Sequence, residues 1–345
     1  GTATVHDWRR HIILLGLGRE AVKNLPVPLN GLSTRYFWTL LPGTLLFLIP
    51  TFLSLFLILF RGWLRWVGMA IFLVGLLGTI DAHPFKPTPF NPYLGPQGAR
   101  PYQEIIDYAE EKGGIALWAH QGSRLHKTKA GPVFLETKPY THLLLETIHF
   151  RGLDAIYEDR FTASKPGQQW DMLLSAYAQK RIPYPVWGYG GLDFHSEKEL
   201  NGKKRLSDIL TVFALRKLSE DAVLRALVNG RFYVVRSYSP SRLKMDHFSI
   251  SSRDGKIKGS YGEALKFKGP PKISFQISTE DGKSVKVKVK LIRLGEVIKF
   301  IEGPTPLRVD YTDPDEIKAT SLYYRIDAKV NNREHLITNP VFIHR

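Results

Sequence analysis

Two stretches decide how this chain folds: Ile115-Ala116-Leu117-Trp118-Ala119-His120 and Val186-Trp187-Gly188-Tyr189-Gly190-Gly191-Leu192-Asp193-Phe194-His195. Each opens with a short apolar run of strand length and closes on polar, chemically capable residues. Working outward, residues 102–112 carry the spacing of an amphipathic helix, and Gly113-Gly114 ends it before the first strand. Residues 139–150 are helical in pattern, Ala155-Ile156-Tyr157 is a strand with Glu158 and Asp159 at its end, and residues 170–180 form another helix. Helix alternating with strand predicts an α/β fold built as a parallel barrel, whose chemistry gathers at the C-terminal ends of the strands.

His120, Glu158, Asp193 and His195 all fall on that rim. Imidazole and carboxylate together suit borderline divalent ions such as zinc, manganese or iron. In an Asp-x-His at a strand end, residues i and i+2 share a face and can aim at one site. Taken singly, each residue has an ordinary reading, such as Asp193 capping a following helix; their joint pattern is what points to a metal. Either Glu158 or Asp159 faces inward to bridge ions or orient water. Arg124, four residues after His120, is the candidate for binding an anionic substrate group.

On these residues the chain resembles the PHP metallohydrolases, named for polymerase and histidinol phosphatase domains. Leu117-Trp118-Ala119-His120 is similar to the family's Ala-His segment, which supplies a metal-binding histidine. Gly191-Leu192-Asp193-Phe194-His195 is similar to its closing Gly-x-Asp-x-His segment, which supplies two more ligands. The stretch His11 to Leu17 resembles a strand that carries a ligand histidine in some members, which adds His11 to the set. The resemblance implies an irregular (β/α)7 barrel, up to three divalent metals and hydrolysis of phosphate esters. Gln121 stands where the family has Pro, and no His-x-His pair appears near Gly1. The expectation is therefore that the barrel is N-terminally incomplete, with an open edge beside residues 11–17.

Between His11 and the first stretch lies a different kind of sequence. Tyr36 to Phe60 carries no charge, and at 1.5 Å per residue the 40–60 segment makes about 30 Å of helix, the thickness of a hydrocarbon core. Arg61 and Arg65 flank a turn, and a second apolar run covers 66–80. Both runs are apolar on every face, and Tyr36, Trp38, Trp63 and Trp66 sit at their ends, where headgroups favour them. A hydrophobic helical hairpin results, either crossing a lipid bilayer twice or entering it shallowly, and it predicts a membrane protein, of the inner membrane in a bacterium. Sidedness stays open, because the basic residues at the turn and at the base pull in opposite directions.

From about Asp246 the pattern becomes all β. Val285, Val287, Val289 and Leu291 alternate with Lys286, Lys288 and Lys290, giving one buried and one solvated face. Strands are also expected at 273–277, 322–328 and 341–343, and this tail is similar to the β-sandwich that ends the carbaryl-hydrolase-like branch of the family. The expected division is 1–35 for the start of the barrel, 36–82 for the membrane hairpin, 83–245 for the catalytic barrel and 246–345 for the sandwich.

With 48 Lys and Arg against 32 Asp and Glu the net charge is +16, which favours anionic partners. The absence of cysteine excludes disulfides and thiolate metal sites. The lysines of the tail alternate with valine and not with aromatics, which argues against a nucleic-acid face. The reading is a membrane-attached hydrolase acting through a metal-bound hydroxide on a small anionic or ester substrate, a phosphoester first and a carboxylic or carbamate ester second. Its rival is a membrane scaffold on a decayed hydrolase fold.

Overall fold

The computed structural model describes residues 2–7, 10–28, 30–91, 97–123, 125–130, 133–158, 160–196, 204–314, 320–331 and 334–344. The chain opens with β1 (Thr2–Asp7), β2 (Arg10–Leu15) and a short α1 (Arg19–Lys23). The long helices α2 (Phe37–Ile58) and α3 (Trp63–Asp81) follow, then α4 (Arg100–Glu111), β3 (Ile115–Ala119), the hairpin β4 (His126–Ala130) and β5 (Val133–Thr137), α5 (Leu143–Glu146) and β6 (Gly152–Tyr157). Next come α6 (Gln169–Ala178), β7 (Trp187–Gly191), β8 (Ile209–Phe213), α7 (Glu220–Asn229) and β9 (Phe232–Arg236).

Five strands form one sheet in the order β1-β2-β3-β6-β7; β2 is antiparallel to both neighbours, while β3, β6 and β7 run parallel. Ile12 and Leu14 of β2, residues 115–118 of β3, Leu153, Ala155 and Ile156 of β6, and Ile105, Ile106 and Ala109 of α4 form one continuous core. The α/β character is as expected, but the described residues do not close into a (β/α)7 barrel. At the far edge of the sheet, Gly190 N–H donates to Thr211 Oγ1 at 3.1 Å and Gly188 N–H to Asn339 Oδ1 at 2.8 Å. Side chains satisfy that edge where a barrel would place a strand ladder. At the other edge β1 pairs along the whole of β2, so the side expected to be open beside residues 11–17 is covered by this chain's own residues 2–7. The helix expected over 139–150 contracts to α5, with Thr147 Oγ1 donating to Leu143 O at 2.7 Å at its end.

The helices α2 and α3 are long and apolar enough to cross a membrane, and α2 runs unbroken through Pro42 and Pro50. They lie against each other with the distribution of a water-soluble protein inverted. Thr44, Thr51, Ser54, Gly68 and Gly75 are buried between them, while Phe56 is 64% exposed and Leu46, Phe52, Leu53, Val74 and Leu77 likewise face outward. Small residues let the backbones approach: a Cβ on Gly75 would lie 2.2 Å from Thr51 Oγ1. The buried hydroxyls bond the helix backbone, Thr51 to Phe47 O and Ser54 to Thr51 O, both at 2.7 Å. The base of the hairpin is fastened to α4. Arg35 pairs with Glu111 at 2.9 Å and lies 4.8 Å from the Tyr108 ring centroid, and Ser33 N–H donates to Phe85 O at 2.9 Å.

The C-terminal part is β-rich: β10 (Leu243–Ser251), β11 (Lys258–Gly259), β12 (Ala264–Lys266), β13 (Lys272–Thr279), β14 (Lys286–Arg293), β15 (Glu296–Pro304), β16 (Leu307–Thr312), β17 (Ser321–Lys329), β18 (His335–Thr338) and β19 (Val341–His344). Four strands, β11-β10-β13-β16, face a larger sheet built on β12-β19-β17-β18-β9-β8 with β14 and β15 branching from β17. Phe248, Ile273 and Phe275 from the first meet Val287, Leu291, Tyr324 and Ile326 from the second in one core. The β9–β18 pairing joins strands from both sides of residue 246 into that larger sheet. A buried ion pair ties it to the α/β unit: Arg325 of β17 grips Asp171 of α6 through Nε at 2.8 Å and Nη2 at 2.6 Å.

Candidate metal centre

Antiparallel pairing of β2 with β3 sets His11 opposite Ala119, so the start of one strand meets the end of the other. His120 follows immediately, and its Nε2 lies 2.8 Å from His11 Nδ1 with the rings edge-on. At the end of β7 Asp193 brings Oδ1 to 3.9 Å from His120 Nε2 and to 3.7 Å from His195 Nε2. The expected trio does meet around one carboxylate oxygen, and His11 joins it through His120. His195 stands on the rim, with 70% of its side chain exposed. Three residues that follow the parallel strands, His120, Glu158 and Asp193, have φ of 36°, 48° and 52°. Left-handed backbone at non-glycine residues costs energy and concentrates where a site dictates geometry.

What holds these side chains was not visible as a motif. Asp154, in the middle of buried β6, accepts the His120 N–H through Oδ2 at 2.6 Å. The Gln121 side chain donates to Asp154 O at 2.7 Å, tying the loop after β3 to β6. Burial pushes the Asp154 carboxyl up to about 7, against the pull of the His120 amide and with help from the Asp193 charge. Gly191 is glycine because β7 passes so close: a Cβ there would sit 2.3 Å from Asp154 Oδ2. The one signal available in sequence was a lone charged residue within the apolar run from Gly152 to Tyr157, which needs a partner to be buried.

Tyr157 donates its hydroxyl to Asp193 Oδ2 at 3.3 Å, and burial raises its pKa, with the Asp193 charge adding to the shift, so it remains a donor. The buried Lys204 ammonium donates to Asp193 O at 2.7 Å and pairs with Glu158 Oε1 at 3.0 Å, while Arg236 Nη1 donates to Glu158 O at 2.8 Å. Glu158, expected to bridge ions or orient water, is thus held by Lys204 at the edge of the centre. Tyr140 clamps the β2–β3 end, donating to Ala119 O and accepting the His11 N–H at 3.4 Å. Asp159 and Arg124 lie outside the described residues.

His11, His120, Asp154, Asp193 and His195 line one end of a cavity of about 480 Å³ whose walls also include Ile13, Leu15, Leu117, Leu153 and Tyr189. Among the described residues, the one group of three whose ligand atoms all lie within 4.8 Å of one another is elsewhere: Asp107, Glu110 and His149. There His149 Nδ1 stands 3.0 Å from Asp107 Oδ1 and 3.1 Å from Glu110 Oε2, and Tyr184 donates to Glu110, so mutual hydrogen bonds account for that surface cluster. Comparison of the chain with protein-family models, curated proteins and solved structures finds no match.

Proposed function

We propose that the chain is a membrane-attached, divalent-metal-dependent hydrolase, most simply a phosphoesterase of the PHP kind. The observation that carries this reading is the run His11–His120–Asp193–His195 at the mouth of a cavity. Two ligands of one tetrahedral ion with bonds of 2.0–2.2 Å lie roughly 3.4 Å apart. The two separations from Asp193 Oδ1, 3.9 and 3.7 Å, are close to that edge. The donor set of imidazole nitrogen and carboxylate oxygen suits zinc, manganese or iron. The 2.8 Å between His11 and His120 is a hydrogen-bond distance, so His11 serves a shared ion only if the two rings part slightly.

When bound, such an ion lowers the pKa of water and polarises an ester oxygen. The chain's own groups do the positioning. Asp154 fixes the His120 backbone, Tyr157 and Lys204 fix Asp193 from two sides, and Tyr140 fixes the strand that brings His11. Partners of this kind keep ligands within the narrow geometry a metal requires. The outward apolar faces of α2 and α3 support attachment to a lipid bilayer.

The test is metal analysis of the purified full chain beside hydrolysis of 4-nitrophenyl phosphate and 4-nitrophenyl acetate. At least one bound zinc, manganese or iron per chain is expected, falling at least tenfold in Asp193→Asn and His120→Ala together with activity. Metal at background level, or hydrolysis unchanged in both variants, would leave a scaffold protein as the better description.

A further inference from the structure

The cavity behind the candidate centre has a polarity gradient along its length. Along β2, His11 is at the mouth, Ile13 pairs with Leu117 and Leu15 pairs with Ile115 at the opposite end of the sheet. At about 3.4 Å per residue, His11 to Leu15 covers roughly 14 Å. Ile12 and Leu14 are buried beneath the helices at 1% and 0% exposure, whereas the alternate residues Ile13 and Leu15 remain half-buried on the cavity side. Leu117, Leu153 and Leu227 complete the apolar wall, and the Tyr189 hydroxyl is committed to Leu227 O at 3.1 Å. The mouth offers imidazoles and carboxylates; the far end offers hydrocarbon.

The hairpin is fastened at the hydrocarbon end. Arg35 at its base binds Glu111 and Tyr108 on the last turns of α4, just before β3 begins at Ile115, the partner of Leu15. The mouth lies by the first turns of α4 instead, where Arg10 stands 5.6 Å from the Tyr102 ring. The apolar end of the cavity and the apolar anchor therefore lie at the same end of the sheet.

We infer that the cavity takes a single-chain amphiphile, its ester or phosphate head at His120 and Asp193 and its hydrocarbon chain running along Ile13, Leu15, Leu117 and Leu227. The inference rests on the hydrolase reading for the nature of the head group, and on the cavity alone for the chain. Burial of its tail removes half-buried leucine and isoleucine from water. Headgroup chemistry alone would be served by a shallow polar site, with no apolar shaft behind it.

The experiment uses the full chain in nanodiscs and the non-hydrolysable ethyl, butyl, hexyl and octyl phosphonates, with binding measured by calorimetry and empty nanodiscs subtracted. Affinity is expected to rise about fourfold per methylene, the equivalent of roughly 0.8 kcal/mol per buried CH2. Leu117→Trp and, separately, Ile13→Trp, each verified as folded by circular dichroism, should flatten the series by filling the shaft. An affinity independent of chain length in the unaltered protein overturns the inference, as does a slope that survives both tryptophan variants. Because the slope is read without turnover, a chain-length dependence in protein that holds no metal would sink the hydrolase reading and leave the amphiphile site standing. Metal-dependent hydrolysis with a flat series would do the reverse.

Discussion

Replacing Arg325 by Met should cost the fold about 3–5 kcal/mol, because it strands a buried carboxylate. Arg325 and Asp171 have side chains 0% and 2% exposed, and Arg325 also donates to Ser164 O at 3.0 Å and lies 4.9 Å from the Trp170 ring centroid. Met fills a similar volume, so the packing loss is small. The dominant cost is the uncompensated charge of Asp171, which after removal of a partner is typically 3–5 kcal/mol. Tyr323, which donates to Asp171 Oδ1 at 2.9 Å, softens that cost by remaining in place. Unfolding entropy of about 2.1 cal/mol/K per residue gives roughly 0.7 kcal/mol/K for this chain, so 4 kcal/mol lowers Tm by about 6 °C. In the double variant Asp171→Asn with Arg325→Met no charge is left buried, and an amide oxygen still accepts one hydrogen bond. That protein should recover to within about 2 °C of the parent. The assay is thermal unfolding in nanodiscs followed by tryptophan fluorescence, for which Trp170 is a local reporter. A single variant melting within 1 °C of the parent, or a double variant no more stable than the single, would refute the account of this contact as a charge that needs its partner.

Other consequences are equally open to measurement. Burial pushes His335 down to about 4 against the pull of Asp327, 2.8 Å away; the unfolded chain then takes up the proton first, and stability should decline as pH falls from about 6.5 toward 4. Urea midpoints at pH 7 and 4.5 should converge in His335→Gln relative to the parent, and an unchanged difference would rule this group out. Because Ser33 and Phe85 are joined at 2.9 Å, residues 37–81 can be replaced by a short Gly-Ser linker. The product is expected to remain in solution without detergent and keep the circular dichroism of the α/β and β-rich parts, whereas aggregation would mean that α2 and α3 belong to the core. Gly191→Ala forces a Cβ against the Asp154 carboxylate and, on the proposed metal reading, should weaken metal binding about 10- to 100-fold, as loss of a ligand's supporting partner does. Unaltered affinity by competition with a zinc indicator would show that Asp154 does not position His120.

Much of the local structure was legible along the chain. The run 115–119 is β3 to the residue, 273–277 lies within β13, 322–328 within β17, the uncharged segment 66–80 lies within α3, and 40–60 overlaps α2 up to Ile58. In each, the period of apolar residues is a local property that a few neighbouring positions suffice to express. His120, Asp193 and His195 could be named because each follows such a run, and the end of a strand is as local a fact as the strand. Asp154, Tyr157 and Lys204 could not, because their roles depend on partners far along the chain: Asp154 on His120, Tyr157 on Asp193, and Lys204 on Glu158. The closure of the sheet was equally out of reach. Apolar alternation specifies that a segment is a strand, but which edge it joins is a long-range choice, and here β1 covers β2 while Thr211 and Asn339 side chains finish β7. Sequence alone thus determined those elements, the apolar hairpin and the ligand-type residues, because these follow from side-chain chemistry within a few turns. Tertiary structure alone decided the open sheet, the supporting carboxylate and the cavity with its polar mouth and apolar depth. Those arise only where β2, β3, β6 and β7 lie side by side and their alternate residues share one face.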